Sequence, residues 1–165
     1  MNIRMIELPE TAVIGKAGLC TEGNNISAQL WQQASGSFHE VAGLGLKKED
    51  GSYAGFWGAM SDESMNFLPW EEDYTRGLYL AGTEVSLDAE APAGWTKWIL
   101  PARKYLVIDV CPDTYSAVFR GALQQVIPGM NLRLCGAVCD YTEPSTGQSS
   151  LYFPVEEDPG RKQIN

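Results

Sequence analysis

Five tryptophans and seven tyrosines in a chain of 165 residues give it an ample supply of flat, polarisable surface. A ring face attracts a cation by about 0.5 to 2 kcal/mol, and by more once water is excluded. Such a set therefore suits recognition of flat or positively charged organic molecules. Trp57, Tyr79 and Tyr141 fall in strand-like stretches, Trp70 in an acidic loop, and Trp95 and Trp98 beside a turn. Trp31 belongs instead to an apolar helix face and reads as core. Trp95 and Trp98 have a second reading, as packing at a junction between two halves, and Trp70 one as a loop anchor. The carboxylate best placed to complement such rings is Glu84, which strand alternation groups with Leu80 and Gly82. Beside small or apolar neighbours a carboxylate favours either a partner cation or its own protonation. The alternative for Glu84 is a solvent-facing position or a salt bridge.

Other chemistries find little support. There is no GxSxG elbow, P-loop or dinucleotide fingerprint, and His39 is the single histidine. Cys20, Cys111, Cys135 and Cys139 lack the paired short spacings of a zinc site and read as structural thiols. No metal and no cofactor is expected, and no residue is assigned to catalysis.

The formal net charge is −9, from 12 basic and 21 acidic residues, without the basic patch of a nucleic-acid-binding module. No helix-turn-helix precedes the first strand, so direct DNA or RNA binding is not expected. No apolar run reaches the roughly 18 residues of a membrane span. The start, MNIRMIELPE, places charges where a signal peptide needs its apolar core. A cytoplasmic protein with reduced cysteines is the expectation.

The elements that position these residues come in two copies. Leu8-Pro9 and Leu100-Pro101 lie 92 residues apart, each followed by a short β-rich run. Adding 92 to Ile26, Leu30, Trp31 and Ala34, one face of a helix, gives Val118, Ala122, Leu123 and Val126, all apolar. Further on, WGAM from Trp57 resembles CGAV from Cys135, which sets Trp57 opposite Cys135. The unit reads strand, helix, strand, strand, used twice: about 1–90 and 91–156, with a frayed tail at 157–165. The first copy predicts a strand over 3–18 broken at Pro9, and a helix capped by Asn24 or Asn25 and running to about Val41. Strands over 53–60 and 74–86 follow, separated by an acidic, aromatic insertion at 61–73. The second copy predicts a helix opened by Asp113 and ended by Pro128-Gly129, then strands over 131–141 and 150–155.

These segments carry a resemblance. LPETAVIGKAG, ISAQLW, YAGFWGA, LYLAGTEV, ILPARKYLVIDV and LYFPV, in this order and spacing, resemble the GyrI-like family, the effector-binding domain also found fused to AraC- and MerR-type regulators. The resemblance implies an α+β fold in which pseudo-twofold duplicated β-α-β-β units form a curved antiparallel sheet. Helices lie on one face and a small-molecule cleft on the other. It places Trp57 and Tyr141 in that cleft, with Ala59 and Ala137 leaving room between them, and adds Trp70, Tyr79, Glu84, Trp95, Trp98 and Cys139 as candidates. Many drug-sensing members carry a Glu two residues before the aromatic matched by Tyr141; this chain has Cys139 there, so Glu84 becomes the substitute. The implied function is binding of amphiphilic, often cationic aromatic molecules, in drug sensing or sequestration. Two alternatives come with the family: hydrolysis of reactive cyclopropane-bearing natural products with Glu84 as the cleft carboxylate, and a gyrase-inhibitor-like protein-binding role. A protein partner or a homodimer is left open.

Overall fold

The computed structural model describes residues 2–162, so that Gln163, Ile164 and Asn165 at the end of the expected tail lie outside the described residues. Nine strands form one antiparallel sheet. They are β1 (Ile3–Leu8), β2 (Thr11–Cys20), β3 (Phe56–Ser61), β4 (Gly77–Val85), β5 (Thr96–Leu100), β6 (Arg103–Val110), β7 (Leu132–Leu134), β8 (Cys139–Thr142) and β9 (Ser149–Glu157). Their order is β1-β6-β9-β8-β3-β4-β2-β5, with β7 on the edge of β9. A first helix, Ser27–Gly36, and a second, Tyr115–Gly121, share one face of this sheet. The second runs on through a π-turn, Ala122–Val126, into Ile127–Gly129. Pro128 has no N–H to give to the carbonyl four residues back, and the widened turn before it accommodates that loss.

The strand order is a palindrome about β8 and β3, and the registers repeat across it. Leu8 faces Arg103 and Leu100 faces Thr11, pairs exchanged when 92 is added to one partner and subtracted from the other. Followed inward, Gly15–Gly82 corresponds to Val107–Tyr152, Trp57–Gly82 to Cys139–Tyr152, and Gly58–Ala81 to Asp140–Leu151. Trp57 is thus the counterpart of Cys139, a correction to the Cys135 pairing suggested by WGAM and CGAV. Gly58 and Asp140 are counterparts that also face each other across β3 and β8, so the pseudo-twofold axis passes between them. Each unit also lends its outermost strand away, since β1 pairs with β6 and β5 with β2.

Both sheet faces are apolar because the strands are apolar at consecutive positions. Leu106 and Ile108 pack with Leu151 and Phe153 under Ala122 and Ile127 of the second helix. Ile14 and Ala81 pack under Leu30 and Ala34 of the first. Val13, Leu80, Trp98 and Val107 point the other way, into a core with Trp57, Cys139 and Tyr152.

Departures from the expected elements have local causes. The first helix stops at Gly36, and Phe38–Glu40 form a 3₁₀ turn. The strand expected over 131–141 is broken, because the insertion enters it. Cys135 still gives its N–H to Pro154 of β9, in register with β7, but the N–H of Ala137 is taken by the carbonyl of Phe67, so the chain leaves the ladder between Cys135 and β8. Arg103 also donates to the Phe67 carbonyl, at 3.0 Å. The insertion is held at its root by the Asp62 carboxylate, which accepts the N–H groups of Asn66 and Leu68 at 3.0 and 3.1 Å. Burial works to raise that carboxyl's pKa, but these N–H groups outweigh it and hold it below the usual value. β9 runs to Glu157, beyond the expected end, and pairs there with Leu132. Among the described residues no helix is long and apolar enough to cross a membrane.

Gly15 and Gly82 face each other so closely that a Cβ on Gly15 would sit 2.1 Å from the backbone oxygen of Ala81. Backbone cannot rotate away as a side chain can. Gly15→Ala is expected to destabilise by about 3 kcal/mol in a urea titration. Gly36→Ala, whose Cβ meets nothing within 4 Å at a helix end, should instead stabilise by up to about 1 kcal/mol.

Candidate functional site

At the axis position one unit carries a glycine and the other a carboxylate. The Asp140 side chain leans across the strand pair into the space above Gly58, where a Cβ would lie 2.3 Å from its Oδ1 and 2.0 Å from the Tyr79 hydroxyl. Tyr79, buried on β4, donates its hydroxyl to Asp140 Oδ2 at 2.9 Å, and that hydroxyl accepts the Trp31 indole N–H at 2.8 Å. Burial pushes the Asp140 carboxyl up to about 6, against the lowering effect of the hydrogen bonds from Tyr79 and the Gly58 N–H. The Tyr79 hydroxyl is raised well above the ordinary tyrosine value, by burial first and by the Asp140 charge second.

Above Asp140 opens a cavity of about 320 Å³, set between the N-terminal ends of the two helices. Met60 and Val138 extend its floor, and Tyr115 and Phe119 of the second helix form one wall. Trp70 and Tyr74 form another; both belong to the insertion, which runs past its expected end at Asp73 because β4 begins only at Gly77. Trp70 is pinned by its indole N–H to the Leu78 carbonyl at 3.0 Å, and its ring meets Tyr79 edge-on with centroids 6.5 Å apart. Tyr74 meets Phe119 in the same way at 5.4 Å. Asn25 reaches the rim and accepts the N–H and hydroxyl of Ser27 at 3.0 and 2.7 Å in an Asx turn, while the first helix is capped one residue later, at Ile26, rather than at Asn24 or Asn25 as expected. Arg120 is the cation in the lining, exposed at the rim. The arrangement offers a carboxylate and several ring surfaces in a partly enclosed space, a combination suited to a bulky cation.

The face away from the helices carries another hollow, also of about 320 Å³. Here the structure brings together Trp57, Glu84 and Tyr141, with Tyr152 beside them. The indole N–H of Trp57 is given to Glu84 Oε1 at 2.9 Å, and its ring lies edge-on to Tyr141 and Tyr152, at 4.9 and 5.0 Å. Trp57 is only 1% exposed, so this cluster fills most of its own centre. Tyr141 gives its hydroxyl to the Ala54 carbonyl at 2.7 Å. Cys139 is buried beneath, its thiol pushed by desolvation up to about 12 and hence neutral. Trp98 is core and meets Phe67 edge-on. Trp95 donates its N–H to Glu40 at 2.8 Å, and its ring already carries a cation, Lys16 Nζ at 4.1 Å.

Of the residues singled out by sequence, Trp70 and Tyr79 thus line the Asp140 cavity, and Trp57, Glu84 and Tyr141 line the opposite hollow. Asp140, Tyr115, Phe119 and Tyr74 were not anticipated. A signal for Asp140 was present: a carboxylate inside the apolar stretch AVCDY, one residue out of phase with the Cys139 and Tyr141 that drew the alternation.

No protein-family model and no curated protein matches this sequence. Solved structures do. SAV2435 bound to tetraphenylphosphonium superposes with a TM-score of 0.67 at 14% identity, covering 100% of this chain and 98% of that one. The fold is GyrI-like. EcmrR in a complex with DNA gives 0.63 at 11% identity over 94% of this chain, which spans 57% of the EcmrR chain. The EcmrR C-terminal domain alone gives 0.62 at 12%, covering 94% of this chain and 98% of that domain. The GyrI-like architecture expected from the sequence motifs, duplicated units in a curved antiparallel sheet with helices on one face, is the one observed.

The raised Asp140 carboxyl has a consequence for stability. The folded state holds this proton more tightly than the unfolded chain, whose aspartates titrate near 3.8. Its contribution therefore favours folding below about pH 4 and is lost as pH rises to about 6. Asp140→Asn, which keeps the acceptor for Tyr79, is expected to remove that loss and to be the more stable protein at pH 7, read from urea midpoints between pH 4 and 7. Tyr79→Phe deletes a hydrogen bond to the charged form and should move the Asp140 carboxyl titration upward in carbon-13 NMR.

Proposed function

We propose that this GyrI-like chain binds small amphiphilic molecules, lipophilic aromatic cations foremost, in the cavity over Asp140, and that it senses or sequesters them. The observation that carries this reading is a partly buried carboxylate on the pseudo-twofold axis, at the floor of a cavity walled by tyrosine, tryptophan and phenylalanine rings. A cation placed there regains for Asp140 the stabilisation that burial removes, while two or three ring faces add about 0.5 to 2 kcal/mol each. The similarity to SAV2435 supports it. The ligand named with that protein, tetraphenylphosphonium, is a cation sheathed in phenyl groups with no hydrogen bond to offer, so only charge and apolar contact can hold it. The similarity to the EcmrR C-terminal domain supports a role as the ligand-reading part of a regulatory system, with DNA contact made by another segment or chain. We place the protein in the cytoplasm, where its four free cysteines stay reduced.

Calorimetric titration with tetraphenylphosphonium tests the proposal. Wild type should bind saturably at pH 7.5, and Asp140→Asn at least about tenfold more weakly. With a carboxyl titrating at about 6, wild-type affinity should fall about tenfold between pH 7.5 and pH 5. Arg120→Ala should tighten binding by removing the cation at the rim. Affinity indifferent to pH and to Asp140→Asn, but lost in Glu84→Gln or Trp57→Ala, would put the ligand in the opposite hollow instead.

A further inference from the structure

The cavity over Asp140 differs in character between floor and mouth, and a plain cation satisfies only the floor. Asp140 lies below, and no second carboxylate joins it in the lining. The exposed rim carries Arg120, Ser116 and Asn25. A guanidinium at the mouth repels an entering cation, so the presence of Arg120 there needs another account.

Local structure sets this rim. On the second helix Tyr115 and Phe119 are four residues apart, as are Ser116 and Arg120, so the members of each pair lie one turn above the other. The first pair gives its rings to the cavity wall, and the second stands beside it as a polar edge. Arg4, Arg76 and Arg133 each hold a carboxylate, and Arg103 holds the Phe67 carbonyl. Among the described residues Arg120 has neither an ion-pair nor a hydrogen-bond partner, although the chain has 21 acidic residues to 12 basic. The hydroxyls of Ser116 and Tyr115 likewise meet no acceptor among the described residues. Asn25 spends its Oδ1 on Ser27, which leaves its NH₂ group as a further donor at the rim. A positive charge and several donors, gathered where the protein offers them no acceptor, suit an anionic group brought by the ligand.

We propose, on the reading that ligands bind over Asp140, that the molecule held there is dipolar: an aromatic body with its cationic centre at Asp140 and a carboxylate at the rim, taken by Arg120. Ser116 and Asn25 stand beside the guanidinium to share that carboxylate. Both charged groups line one space of about 320 Å³, at the small end of the range for small-molecule sites, so one ring system reaches from floor to rim. A guanidinium suits a carboxylate in particular, because its planar fork of N–H groups matches two oxygens. Arg120 is then the residue that sets specificity, favouring a dipolar ligand over a cation of the same shape.

Rhodamine 110 and its methyl ester are the probes: one aromatic cation, with a free carboxylate in the first and none in the second. Fluorescence anisotropy at pH 7.5 gives both affinities, and their ratio cancels what the dyes share. Arg120→Ala should lower the affinity for rhodamine 110 relative to its ester by about fivefold, the upper range for an ion pair open to solvent. Arg120→Lys should keep much of the preference. Lys104→Ala, which removes the same charge from an exposed position on β6 outside the lining, should leave the ratio within twofold. Asp140→Asn should weaken both dyes alike. A ratio untouched by Arg120→Ala, or lowered as much by Lys104→Ala, would overturn the proposal and leave cation binding at Asp140 standing. Binding of tetraphenylphosphonium without rhodamine 110 would do the same. Failure of wild type to bind either dye or tetraphenylphosphonium would remove the Asp140 site itself, and the proposal with it.

Discussion

The molecule turns on the contact between Gly58 and Asp140. In a duplicated fold the residues nearest the axis meet their own counterparts, and two side chains on one face of neighbouring strands would contend for one volume. Here one copy gives up its side chain entirely. The carboxylate of the other then lies over bare backbone, within reach of Tyr79 and of a peptide N–H. Departure from symmetry at a single pair thus creates both the space and the charge of the site.

The rest of the architecture supports that pair. Helices over the outer strands leave β3 and β8 uncovered between them, which is why a groove exists along the axis. The insertion of the first unit supplies Trp70 and Tyr74 and also interrupts the second unit's strand through the Phe67 carbonyl. It therefore shapes the site from two directions. The opposite face takes the other set of strand side chains and uses them mainly as packing, with Trp57 and Cys139 in equivalent positions at its centre.

How far the sequence disclosed this can be told residue by residue. The constant offset of 92 carried from Leu8 to Leu100 and from Leu30 to Ala122, where both copies need apolar burial; beyond Ala122 the π-turn shifts the buried face by one residue, so Ile127 takes the core place expected of Val126. It could not carry to the inner strands, since the connections before them differ in length between the copies. There the local likeness of WGAM to CGAV misled, and only hydrogen-bond registers equate Trp57 with Cys139. Trp70 and Tyr79, singled out as ring surfaces, both line the cavity over Asp140. Asp140 was passed over because alternation was anchored on aromatic Tyr141, and a one-residue step along a strand exchanges faces. Which of two apolar faces stays open depends on helix placement and on an insertion, neither of which has a local signature.

The exchange of β1 and β5 between the units has a further meaning. A lone copy of the unit would present one strand with nothing to pair against and, beside β2, a vacant edge of matching length. Two identical copies would satisfy each other by trading that strand, a head-to-head swapped dimer with its twofold where Gly58 and Asp140 now meet. The present polypeptide is that dimer joined end to start, and the joining is what permits its two midline residues to differ, something identical subunits can never do.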